Sequence, residues 1–256
     1  MPEPRGGEVL LRARKVSRSF GGLKAVDDVS VAVHQGTVHA VIGTNGAGKS
    51  TLINLLCGEI QASEGTVELL GRDVSRWSQP RRAQAGLGRS YQRNTIYAPF
   101  TVFENCRLSA QARLQRPWDW FTPASSCATT RAAANHALER AGLAAQAHLV
   151  AGTLSHGQKR QLEIAMCLAT GPRVLVLDEP LAGMGAEESE RMLSLLEGLK
   201  AEHAILLVEH DMDAVFRVSD EITVMVNGRV IATGKPEEIR ANADVQTAYL
   251  GEEGAH

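Results

Sequence analysis

The stretch Val41-Ile42-Gly43-Thr44-Asn45-Gly46-Ala47-Gly48-Lys49-Ser50-Thr51 has the residue types and spacing to hold a phosphate. It fits G-x-x-x-x-G-K-[ST], a glycine-rich turn between a buried strand and a helix. Glycines 43, 46 and 48 let the backbone turn tightly, so that successive N–H groups point at one anion. A helix starting near Gly48 adds about half a positive charge at the same place. Lys49 can set its ammonium on β- and γ-phosphates, and the Ser50 hydroxyl suits Mg²⁺. Thr44, Asn45, Ala47 and Thr51 complete the cradle.

A second set lies in Leu175-Val176-Leu177-Asp178-Glu179-Pro180. Two carboxylates end a continuous apolar run, which reads as a strand covered on both faces. Ligands of open α/β sheets bind beyond that strand end. Asp178 can share the cation with Ser50, and Glu179 can polarise a water that attacks the γ-phosphate. A third feature, Leu154-Ser155-His156-Gly157-Gln158, precedes a helix predicted over Lys159–Ala169. Alone it reads as an ordinary N-cap.

These groups need elements to position them. Val9–Val16 alternates apolar and basic residues, as a half-exposed strand does. Val29–Val33 and Val38–Ile42 read as a strand pair across Gln35-Gly36, and Gly65–Arg72 as a hairpin. Thr101 and Glu104 form a capping box for a helix, followed by an aromatic piece containing Trp118, Trp120 and Phe121. That cluster fits either a partner patch or a small satellite core. A helix is predicted over Thr129–Ala141. Regular α/β alternation then returns: Ala186–Glu202 as helix, Ala204–Val208 as strand, Asp211–Val218 as helix. Asn227-Gly228 joins a hairpin, and Pro236 starts a short helix.

The chain has 256 residues, 44% hydrophobic and 22% charged, with a formal net charge of -2. No global field favours nucleic acid or an anionic membrane. No window approaches 18 uninterrupted apolar residues, and the polar start predicts no secretory signal. Cys57, Cys106, Cys127 and Cys167 form no C-x-x-C pair, which suits reduced thiols rather than a zinc site.

Taken in order, the phosphate loop, Gln92, Leu-Ser-His-Gly-Gln, Leu175–Glu179 and His210 resemble the ATP-binding subunit of an ABC transporter over nearly the whole chain. The resemblance implies an α/β fold: a P-loop NTPase core with a RecA-like mixed sheet, an antiparallel β subdomain and an inserted helical subdomain. It implies one domain over 8–253, with the helical insertion at 93–165 and a C-terminal tail at 234–253. By the same resemblance Phe20 stacks on adenine and Val26 lies beside it against the sugar or base. Gln92 reaches Mg²⁺ and the attacking water, and His210 contacts the γ-phosphate. Ser155, Gly157 and Gln158 serve ATP bound by an opposite subunit, so two ATPase subunits, identical or related, face each other head to tail. Two positions depart from the pattern: His156 replaces a glycine, and Gly185 stands where many members carry an Asp that bridges the dimer.

Phe20–Val26, the His156 variant, Glu209-His210-Asp211-Met212-Asp213 and the tail Val245–Gly251 are similar to the importers of branched-chain and hydrophobic amino acids. That resemblance implies ATP and Mg²⁺ as cofactors and transmembrane permease subunits as partners. It further implies an indirect substrate-binding protein, no nucleic acid, and a peripheral place on the cytoplasmic face of the plasma membrane. Urea or short-amide import stays open, as does a soluble, non-transport ABC ATPase.

Overall fold

The computed structural model describes residues 7–90, 96–114 and 127–253. Gln92 and the Trp118, Trp120 and Phe121 cluster lie outside the described residues. Two sheets carry the chain. β1 (Val9–Phe20), β2 (Leu23–His34), β4 (Glu64–Leu69) and β5 (Arg72–Asp73) form an antiparallel sheet in the order β2-β1-β4-β5. β3 (Val38–Gly43), β6 (Leu87–Arg89), β7 (Val174–Asp178), β8 (Ala204–Val208), β9 (Glu221–Val226) and β10 (Arg229–Gly234) form a mixed sheet in the order β10-β9-β3-β8-β7-β6. Only the β9–β10 pair in it is antiparallel.

The expected pairing of 29–33 with 38–42 is corrected. Gln35-Gly36 does turn the chain, but β2 pairs with β1, from Val9 opposite His34 to Phe20 opposite Leu23. β3 instead enters the second sheet between β8 and β9. The reason is burial: Val38 to Ile42 are all buried, and a strand apolar on both faces requires cover on both. β1 is also longer than expected and bulged, with Lys15 at φ 49°.

Period-2 alternation splits the mixed sheet between two cores. Val174 and Val176 of β7, with Ala204, Leu206 and Val208 of β8, face the antiparallel sheet and α1 (Lys49–Cys57), and the short α2 (Gln79–Gln84) leads into β6. Leu175, Leu177, Ile205 and Leu207 face α5 (His156–Ala169), α6 (Ala186–Lys200) and α7 (Met212–Val218). α3 (Val102–Leu114) and α4 (Ala128–Arg140) pack with α5 around a separate cluster that includes Val102, Ala134, Leu138 and Leu162. The Thr101–Glu104 capping box is present as expected. α8 (Pro236–Ala241) and α9 (Ala243–Glu253) place Ile239 and Val245 against β3 and β9. This is the α/β fold anticipated above: mixed-sheet core, antiparallel layer and helical lobe. Among the described residues no helix is long and apolar enough to cross a membrane.

Candidate nucleotide site

Parallel pairing aligns the chemistry. Val41 of β3 lies beside Val208 of β8, which lies beside Asp178 of β7. The phosphate loop, Glu179 and the Glu209-His210 pair therefore leave one sheet edge together, at the carboxyl ends of their strands, where such sheets bind ligands.

The loop is sealed into the core by glycines. Gly43 has φ 156°, and a Cβ there would lie 2.2 Å from the Met225 carbonyl; Gly48 has φ 97°, and its Cβ would lie 2.2 Å from the Ala25 carbonyl. Ala47 is buried, and its carbonyl accepts from the Gly228 N–H at 3.0 Å, while the Gly228 carbonyl accepts from Asp27 N–H at 2.8 Å. The sequence reading missed this brace from the Asn227-Gly228 turn; the turn signal was visible, its contact was not. Gly48 caps α1 without a side-chain hydrogen bond, and the first turn carries no acidic residue. The terminus thus leaves its own N–H groups to an anion. Lys49 Nζ donates to the Gly43 and Thr44 carbonyls, the latter at 3.0 Å, and the Ser50 side is exposed.

Asp178 is 4% exposed. Its Oδ2 lies 3.7 Å from Arg89 Nη2, which is tied in turn to Asn54 and Glu59 through Nη1. Its Oδ1 is buried with no hydrogen-bond partner among the described residues. Burial pushes the Asp178 carboxyl up; Arg89 pulls it back, Glu179 raises it further, and Lys49 and Arg160 lower it. Lys49 is therefore within electrostatic reach of Asp178, as a shared phosphate site requires. A buried carboxylate oxygen without a partner among the described residues, within electrostatic reach of the phosphate-loop lysine, is a ligand suited to a hard divalent cation.

Glu179 adopts φ 49°, a left-handed conformation that a non-glycine residue holds only when its surroundings impose it. Its N–H donates to the Val208 carbonyl at 2.8 Å, which aims the side chain beyond the sheet edge. His210 Nδ1 stands 3.9 Å from Glu179 Oε1, with the His210 side chain 65% exposed. Phe20 is exposed at the end of β1, with the Arg18 guanidinium 4.9 Å from its ring centroid. Val26 corrects the expectation: at 0% exposure it belongs to the core and has no surface to offer a sugar or base.

Ser155 is the N-cap of α5, which begins at His156, three residues earlier than predicted. A full capping box explains the difference: Ser155 Oγ accepts from Gln158 N–H at 3.2 Å, and Gln158 Oε1 accepts from Ser155 N–H at 3.0 Å. Ser155 Oγ also donates to Glu188 Oε1 at 3.0 Å, and a Cβ at Gly157 would fall 2.6 Å from the Glu188 carboxyl carbon. His156 Nε2 donates to the Ala182 carbonyl at 3.1 Å. Ser155 and His156 are exposed, and Gly157 is buried beneath Glu188. Glu188 was not singled out from the sequence, because it looks like an ordinary first-turn acid of α6.

The family model described as ABC transporter matches residues 26–182, the span from the phosphate loop through the two carboxylates. The chain belongs to the ABC transporter family. Its chemistry is ATP binding and hydrolysis coupled to transport. A second family model, described as branched-chain amino acid ATP-binding cassette transporter, matches residues 229–255. Among relatives of this ABC protein, the high-affinity branched-chain amino acid transport ATP-binding protein BraF of Pseudomonas aeruginosa is 38% identical over 250 residues. That match covers 95% of this chain and 98% of BraF. LivG of Salmonella typhimurium, with the same description, is 38% identical over 252 residues, at 95% and 98% coverage. The crystal structure of the ADP conformation of MJ1267, an ATP-binding cassette of an ABC transporter, superimposes with a TM-score of 0.85. It is 30% identical and covers 95% of this chain and 99% of its own.

Proposed function

We propose that this chain is the ATPase subunit of an importer for branched-chain or other hydrophobic amino acids. One observation carries the reading: the full-length match to two transport ATP-binding proteins of that description, joined by the separate match at 229–255. It would sit on the cytoplasmic face of the plasma membrane beneath permease subunits, beside a second ABC ATPase subunit, and receive cargo from a substrate-binding protein. The helical lobe, 93–165, would pass movement to the permease.

In this reading Lys49 and the N–H groups of the loop hold the β- and γ-phosphates, and Phe20 packs on the base. Ser50, Asp178 and Gln92 would hold Mg²⁺, which neutralises phosphate charge when bound. Glu179 Oε1 takes the proton of the attacking water, and His210 holds the γ-phosphate side of the site. Ser155, Gly157 and Gln158 meet the nucleotide of the opposite subunit, so ATP joins two half-sites and its hydrolysis loosens them.

Two measurements test this. Glu179→Gln is expected to lower kcat by about 10²–10⁴-fold with ATP binding retained; wild-type turnover would remove Glu179 from the chemistry. Reconstituted with its permease and binding protein, the complex is expected to drive uptake of leucine, isoleucine or valine. Uptake of urea or a short amide instead would overturn the cargo.

A further inference from the structure

Glu209 has no assigned part in the site, yet it is the most deeply buried acid near it. Its side chain is 0% exposed. Each carboxylate oxygen is used on a different loop. Oε1 accepts from the Leu181 N–H at 2.7 Å, and Oε2 accepts from the N–H of His210 at 3.1 Å. His210 Nδ1 lies 3.7 Å from Oε2.

The Leu181 end matters because of what surrounds it. Leu181 follows Glu179-Pro180 directly, and its side chain is anchored in the core with Leu177 and Leu207. The Ala182 N–H donates back to the Glu179 carbonyl at 3.2 Å, so Glu179 and Leu181 belong to one tight turn. The next carbonyl, Ala182, is the one that His156 holds from α5. One buried carboxylate thus fastens the turn after Glu179 to the loop that begins at His210. Burial, with the Glu179 charge beside it, pushes the Glu209 carboxyl above the usual carboxylate range, against the pull of the two backbone N–H groups and His210. Each oxygen is placed to accept one backbone N–H, one on either side of the group.

We propose that Glu209 is a positioning residue for ATP hydrolysis, holding the Glu179 turn and the His210 loop at a fixed separation across the sheet edge. With its side chain fully buried, it acts through these two loops and not on the nucleotide. Its effect is that the 3.9 Å spacing between Glu179 and His210 is set before nucleotide arrives. The inference rests on the catalytic reading of Glu179 and His210 given above.

Glu209→Gln tests it in the intact transporter. The amide keeps size and shape but can accept from only one of the two N–H groups, and turns its NH₂ against the other. The expected result is a kcat reduced about tenfold or more, with KM for ATP within about twofold of wild type, because the phosphate loop is untouched. Glu209→Asp, one methylene short of Leu181, is expected to behave alike. Affinity of each variant for a fluorescent ATP analogue, measured on the same samples, establishes that the fold and loop are intact. Wild-type kcat in Glu209→Gln would overturn the proposal. So would a fall in kcat matched by an equal loss of ATP affinity, which would mark a general structural role. Glu179→Gln run alongside separates the two readings. If it turns over normally, the catalytic assignment fails; if it is dead while Glu209→Gln is fully active, only the positioning role fails.

Discussion

The two helix N-termini proposed above to meet phosphate are built in opposite ways. α1 begins at Gly48 with no side-chain cap and no acid in its first turn. α5 begins at Ser155 with both halves of a capping box made, and with the Glu188 carboxylate on the serine hydroxyl. The first terminus has nothing of its own to compete with an anion. The second is satisfied from within, so an incoming phosphate must take the hydroxyl away from a carboxylate. Their settings differ too. α1 is locked into the main core by Ala25, Met225 and Gly228. α5 packs against a helical cluster of its own on one side. If α5 serves another subunit's nucleotide, as proposed, such a half-site gains from being closed when that subunit is absent.

This contrast breaks most readily at Lys49. Lys49→Ala is expected to weaken ATP binding by about 1.5–3 kcal/mol and abolish turnover, measured by nucleotide titration on the single chain. Wild-type affinity would show that α1 binds phosphate without its cation. Ser155→Arg should leave that affinity within about twofold of wild type while eliminating the ATP-dependent dimer in light scattering, since bulk is placed only at the second terminus. A dimer that persists would mean that Ser155 does not face the partner's nucleotide.

Asp178→Asn probes the open side more gently. Burial raises the Asp178 carboxyl, so the folded state holds its proton to higher pH than the unfolded chain. This group therefore favours the folded state most below the unfolded pKa, and that contribution is lost as pH rises through the folded one. The amide escapes the loss. The nucleotide-free variant is expected to gain about 1 kcal/mol, a few degrees of Tm, at neutral pH. The gain should shrink towards pH 4, and hydrolysis should be lost. A variant less stable than wild type at pH 7 would mean that Arg89 and Lys49 outweigh burial. The smallest effect belongs to Glu188→Gln. Removing the charge on the Ser155 hydroxyl should tighten ATP-dependent dimerisation about threefold, read from the protein concentration at half-dimerisation. No change, or weaker association, would mean that Glu188 does not compete with phosphate.

The local pattern specified much of this molecule. Ala40–Gly43, Val174–Leu177 and Ala204–Val208 are apolar at every position, and such runs sit inside a parallel sheet. Glycines at 43, 46 and 48 before Lys49 dictate a turn that only positive φ allows. The Thr101–Glu104 box, the Asn227-Gly228 turn and the order of site motifs were legible for the same reason: each acts over a few residues. Long-range choices were not. Which strand pairs with β2, that Val26 turns inward, and that Glu188 lies under Ser155 depend on partners far along the chain. So do the backbone N–H that Glu209 binds at Leu181 and the orphaned Asp178 oxygen. Packing decides those, because a carboxylate or valine carries no mark of its neighbour until the sheet edge brings the two together.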